Sequence, residues 1–157
     1  MKTNVLVLAL VATLFLAGMS MTQATAAPDY SQASSDAVAQ TLRDMYAALA
    51  ADDMAKFESI VTDDFYAYDL GRRYDGTALA LMVMGVHKEG KKFVWTVNHP
   101  DVRIDGNTAW IAYVNTGSVG DASKATPVTW LESAMLRREG DRWRIAFFHS
   151  SRAQPAP

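Results

Sequence analysis

Apolar residues recur every third or fourth position in the first half of this chain and every second position in much of the rest. Val38, Leu42, Met45 and Leu49 lie at spacings of 4, 3 and 4, one face of a helix that Ser35 or Asp36 can cap. Asp52 or Asp53 then caps a shorter helix striped by Met54, Phe57, Ile60 and Val61. Residues 65–69 read as an aromatic-rich strand, Leu70-Gly71 as a turn, and residues 72–74 as its return. Asp75-Gly76-Thr77 opens a third helix that runs to about Glu89, with Gly90 as its C-terminal cap. Leu79, Leu81, Met82, Val83, Met84 and Val86 leave that helix little polar surface, so it is expected to be buried on most sides. Strands follow at 93–98, 101–105, 108–118, 127–138 and 142–151, with turns at Asp105-Gly106-Asn107 and Glu139-Gly140-Asp141 and a polar loop at 120–126. The pattern predicts an α+β domain with three helices packed on the concave face of a curved antiparallel sheet.

The start of the chain obeys a different pattern. Lys2, an apolar run from Val5 to Met19 and the small residues Ala24-Thr25-Ala26 form the three parts of an export signal, cleaved after Ala26. The run is shorter than the ~20 residues that span a bilayer. The chain divides into a signal at 1–26, a loose arm at 27–34, the α+β domain at 35–152 and a tail at 153–157. The expected product is free in the periplasm or outside the cell, with no membrane contact once the signal is gone.

Charge and cysteine content narrow the function classes. Beyond the signal, 14 of the 15 basic residues stand against all 17 acidic ones, a formal charge of −3. Arg72-Arg73, Lys91-Lys92 and Arg137-Arg138 are isolated pairs, not the clustered positive face that nucleic acid requires. There is no Cys, which removes disulfides and a lipidated anchor. His87, His99 and His149 show no metal-ligand spacing, and no phosphate loop, dinucleotide fingerprint or nucleophile elbow is present. No metal and no cofactor are expected.

Counting back from the last turn places the candidate chemistry. If Gly140-Asp141 forms the turn, Glu132 sits opposite His149; if Glu139-Gly140 does, Trp130 sits there. Either way Trp130 and Glu132 share a face with Trp143, Ile145, Phe147 and His149. Counting from the earlier turn puts Ile111, Tyr113 and Asn115 on one face of their strand. Tyr113, Asn115, Glu132 and His149 among apolar residues make a pocket pattern, or else a core with satisfied polar groups.

At this point the chain resembles the nuclear transport factor 2-like superfamily, and within it the SnoaL-like group. The resemblance rests on residues 46–53 (YAALAADD), on Asp63-Asp64-Phe65 and on the ending 143–151 (WRIAFFHSS), and it spans about residues 36–152. The ending is also similar to the association domain of calcium/calmodulin-dependent kinase II. The resemblance implies a cone, a bent sheet wrapped around helices with a cavity inside, and frequent dimerisation, which would use the outer sheet face. It implies no single function.

A narrower similarity is to ketosteroid isomerases. Asp69 follows Asp63-Asp64 at the spacing of that family's catalytic base, and Glu132 stands eight residues before Gly140, where the family has a protonated acid that supports an oxyanion. The family's helix-1 Tyr is replaced by Met45; Tyr46 is one residue away and about 100° around the helix. A donor would then come from Tyr66, Tyr113 or His149. Asp69 can equally be a turn residue bonded to local backbone.

Three readings remain open. The first is a cavity for a small hydrophobic or aromatic molecule, with Tyr46, Tyr66, Trp95, Tyr113, Asn115, Trp130 and Phe147 as contacts. The second is a cofactor-free proton-transfer enzyme (isomerase, cyclase or dehydratase) with Asp69 as base and Glu132 and His149 as donors. The third is a homodimeric assembly module.

Overall fold

A computed structural model describes residues 30–154. The expected signal at 1–26, the start of the arm and the last three residues of the tail lie outside them. The element order is α1 (Tyr30–Ala50), α2 (Met54–Ile60), β1 (Val61–Asp69), β2 (Arg72–Asp75), α3 (Ala78–Lys88), β3 (Lys92–Asp105), β4 (Thr108–Gly120), β5 (Ala125–Glu139) and β6 (Arg142–Arg152). The first helix begins at Tyr30, so residues 30–34 extend it where a loose arm was expected. Its stripe is as read: Val38, Leu42, Met45 and Leu49 are buried, joined by Tyr46. Asp53 caps α2, its carboxylate accepting from Lys56 N at 2.9 Å.

The six strands run β2-β1-β6-β5-β4-β3 in one sheet. It is antiparallel except for one pair: β1 lies parallel to β6. That corrects the all-antiparallel expectation. No turn joins β1 to β6 directly, so no turn motif announces the pairing. Arg144 on β6 holds the junction, donating to the carbonyls of Glu58 and Val61. The two segments expected at 93–98 and 101–105 are one strand, irregular between Asn98 and Asp101, where His99 takes a φ of 49°. Leu70 and Gly71 both have positive φ and close the β1–β2 hairpin in two residues.

The helices cover the concave face, and the core lies between. Phe57 of α2 meets Phe65 of β1 edge to face at 5.8 Å, above Ile111, Leu136 and Ile145 of the sheet. The third helix is less enclosed than its composition predicts. Leu79, Ala80, Val83 and His87 are buried, whereas Leu81 is exposed. His87 ties its C-terminal end to the α1–α2 turn through Asp52, at 2.6 Å.

One glycine sets how closely β3 approaches β4. A Cβ on Gly117 would fall 1.7 Å from the Val94 carbonyl oxygen, well inside contact distance. Gly117 pairs with Trp95, so this approach also positions the aromatic residues of β3. Gly117→Ala is therefore expected to cost about 3 kcal/mol, the upper end of overpacking, measured by urea unfolding. Wild-type stability in that variant would show that the two strands can separate freely.

Candidate functional site

Three cross-strand rows on the concave face build the site. Ile111, Ala134 and Phe148 form the first; Tyr113, Glu132 and Ser150 the second; Asn115, Trp130 and Arg152 the third. The turn is Gly140-Asp141, with Glu139 opposite Arg142, one of the two registers expected. The consequence differs, because the ladder shifts between Met135 and Leu136: Leu136 pairs with Ile145, but Met135 pairs with Phe147. Ala146 is the extra residue of a β-bulge. Beyond it every side chain changes face. Phe148 and Ser150 point to the core, and His149 is exposed. Thus Ser150, not His149, stands opposite Glu132, and Phe147 leaves the concave face as well.

Glu132 is the centre of the second row. It is 6% exposed. Its Oε2 accepts from the Tyr46 hydroxyl at 2.5 Å and from Asn115 Nδ2 at 2.9 Å, and its Oε1 accepts from Ser150 Oγ at 2.9 Å. Tyr46 and Tyr113 hydroxyls lie 2.8 Å apart. With the Tyr46 proton committed to Glu132, Tyr113 donates to Tyr46. Asn115 is oriented by its Oδ1, which accepts from Thr96 N at 2.8 Å and leaves the amide nitrogen for Glu132. Burial pushes the Glu132 carboxyl above its ordinary value, and the hydrogen bonds from Tyr46, Asn115 and Ser150 only partly offset that. Burial first pushes both tyrosines well above theirs, followed for Tyr46 by the neighbouring Tyr113 and Glu132 and for Tyr113 by Glu132, so they stay protonated donors.

Of these groups Tyr46, Glu132 and Ser150 line a cavity of about 40 Å³. Its other walls are Met45, Leu49, Leu79, Met82, Val83, Phe93, Trp95, Trp130 and Phe148, and Asp69 lines it too. Asp69 accepts from Leu70 N at 2.8 Å, the local turn bond that the sequence allowed. Burial raises its carboxyl, opposed by that bond and by the charges of Arg152 and His149. The free volume holds about three waters and is roughly a tenth of a typical small-molecule site. A ligand must therefore displace side chains, and Met45 and Met82 are the flexible ones.

The expected site residues thus separate. Tyr46, Asp69, Trp95, Trp130 and Glu132 line one cavity, and Tyr113 and Asn115 support Glu132 from behind. Tyr66, Phe147 and His149 stand on the outer face, where Tyr66 and Phe147 rings are 5.0 Å apart and Arg73 lies 4.0 Å over Tyr66. They cannot reach the cavity through the sheet. Tyr46 supplies the helix-1 hydroxyl that Met45 lacks, because the long phenol bridges the angular offset; both residues line the cavity. Ser150 was missed, and only the bulge could have shown it.

The fold and the site define a cavity-bearing α+β domain of the nuclear transport factor 2-like type. A family model described as the SnoaL-like domain matches residues 38–157, and the chain belongs to that family. No curated protein matches the sequence significantly. Among solved structures, a member of the NTF2-like family from Streptomyces avermitilis matches with TM-score 0.66 and 13% identity, covering 80% of this chain and 99% of that one. The association domain of CaMKII from C. elegans matches with TM-score 0.65 and 19% identity, covering 76% and 96%. A ketosteroid isomerase-like protein from Erwinia carotovora matches with TM-score 0.61 and 19% identity, covering 76% and 96%. At these identities the likeness is one of fold.

The raised Glu132 carboxyl makes a stability prediction. The folded protein holds this proton more tightly than the unfolded chain does. The contribution is therefore most favourable below the ordinary value of 4.5 and declines as pH rises through the raised folded value. Glu132→Gln lacks that decline. In urea unfolding at successive pH values, the stability difference between the two proteins is expected to move in favour of the Gln variant as pH rises. A constant difference would mean that burial does not perturb Glu132.

Proposed function

We propose that this is an exported protein whose cavity binds a small hydrophobic or aromatic molecule bearing one polar group. The observation that carries the reading is the convergence of two carboxyl groups, Asp69 and Glu132, on one otherwise apolar cavity. The ligand's rings would pack against Trp95, Trp130 and Phe148, and its polar group would meet the Tyr46–Glu132–Ser150 cluster. The export signal read from Lys2 to Ala26 belongs to this proposal, as does a homodimer through the outer sheet face, where Trp110, Leu131 and Met135 are exposed.

Native mass spectrometry of the protein from an expressing cell tests all three parts. The expected species is a dimer of chains beginning at Ala27, each carrying a small-molecule adduct. Met82→Trp, which fills the cavity from its half-buried wall, is expected to lose the adduct and keep the dimer. Wild-type protein without an adduct argues against the binding role, a retained signal against export, and a monomer against the dimer.

A second reading is favoured by Asp69 itself, a partly buried carboxyl on the same cavity as Glu132. It is proton transfer next to a carbonyl, with Asp69 as base and the Tyr46–Glu132 pair stabilising the developing oxyanion. Once the native adduct supplies a substrate class, Asp69→Asn is expected to lower turnover at least about a hundredfold with ligand affinity retained. Equal loss of both would make Asp69 a binding residue, and unchanged turnover would remove it from the chemistry.

A further inference from the structure

Tyr46, Phe93 and Trp95 are walls of two spaces. On one side is the cavity with Glu132. On the other is an open groove of about 490 Å³ between α1 and β3, completed by Arg43, Ala47, Ala50, Val94, Thr96 and Val97. The groove follows from the sequence of α1. Arg43, Ala47 and Ala50 recur at helical spacing on one flank. Two methyl side chains there leave space where larger ones would fill the angle between helix and strand.

The groove differs from the inner cavity in its volume and in the charge along its walls. Its volume lies in the range of small-molecule sites, about 300–1,000 Å³. Its wall is aromatic: Phe93 and Trp95 rings stack on each other at 5.0 Å with 2° between their planes, and Tyr46 lies 5.2 Å from Trp95. Among the described residues, no acidic side chain lines it. Arg43, exposed on its rim, forms no ion pair among the described residues, and the adjacent Asp44 accepts instead from Gln40 at 2.8 Å. An aromatic wall beside an unpaired guanidinium is complementary to a ring system carrying an anion.

We propose that this groove is a second ligand site, for an aromatic carboxylate whose ring packs against the Phe93–Trp95 stack and whose carboxylate pairs with Arg43. A neutral aromatic would use the surface and leave the charge idle. The inference does not rest on the inner cavity taking a ligand.

Calorimetric titration with 2-naphthoate and its neutral analogue 2-naphthalenemethanol tests it. The expected result is one naphthoate per chain, bound about tenfold more tightly than the alcohol, the scale of one charge-assisted contact at a partly exposed site. Arg43→Ala should weaken naphthoate about tenfold and leave the alcohol unchanged. Ala47→Leu, a good helix former that fills the groove, should abolish both; Ala50→Leu is the second block if circular dichroism shows the first to be misfolded. Glu132→Gln should change neither. The proposal is overturned by absence of binding to wild type, by an Arg43→Ala variant that binds naphthoate normally, or by binding that survives both leucine variants. Loss of binding in Glu132→Gln would assign the probe to the inner cavity and overturn it too.

Discussion

A carboxyl group removed from water must be given hydrogen bonds, and Glu132 imposes that requirement on four elements at once. Tyr46 reaches it from α1, Asn115 from β4 and Ser150 from β6, while β5 carries the carboxyl itself. Each bond to a charged group contributes more than a neutral one, and an orphaned partner costs several times the net value of a bond. A helix slid by one residue, or a strand by one register step, would leave a buried carboxyl short of donors. The cluster therefore constrains how the helical layer sits on the sheet. Asn115 extends the constraint to the edge, since its Oδ1 takes the Thr96 N–H of β3.

The register that meets this demand depends on one extra residue. Without the bulge at Ala146, alternation would put His149 opposite Glu132, a basic ring against a buried acid. With it, a small hydroxyl stands there, and the imidazole moves to the exposed face near Asp69. Ile145-Ala146-Phe147-Phe148 is an unbroken apolar run, so alternation carries no information where the shift occurs. That is why Glu132 could be placed from sequence and its partner could not. The turn at Gly140-Asp141 fixes the hairpin up to the bulge and nothing past it.

Other gains and misses have the same character. The α1 stripe was legible because four large apolar residues share a face, and the hairpin turns because Gly supplies positive φ. The parallel β1–β6 pair was not, since it joins strands distant in sequence. Tyr46 was kept as a ligand contact but set aside as the helix-1 donor on helical angle alone, though both Met45 and Tyr46 line the cavity. The third helix was expected to be enclosed because composition cannot tell an apolar exposed flank, here Leu81, from a buried one.

The two carboxyls on the cavity are unequal in a way that bears on what each can do. Asp69 stands at the end of β1, partly exposed, with one backbone donor and the charges of Arg152 and His149 nearby. It can exchange a proton with water. Glu132 is enclosed, and its two oxygens are loaded differently: Oε2 takes both Tyr46 and Asn115, Oε1 only Ser150. A proton on Oε1 would leave the Oε2 bonds intact and free the serine hydroxyl to accept. The neutral acid favoured by burial could thus offer its proton to a ligand oxygen without dismantling the cluster that holds it. Two carboxyls whose surroundings differ this much are the usual condition for one to accept protons and the other to donate them. Tyr46 already occupies the other oxygen, so the cluster holds a helix-1 hydroxyl although Met45 stands one position away.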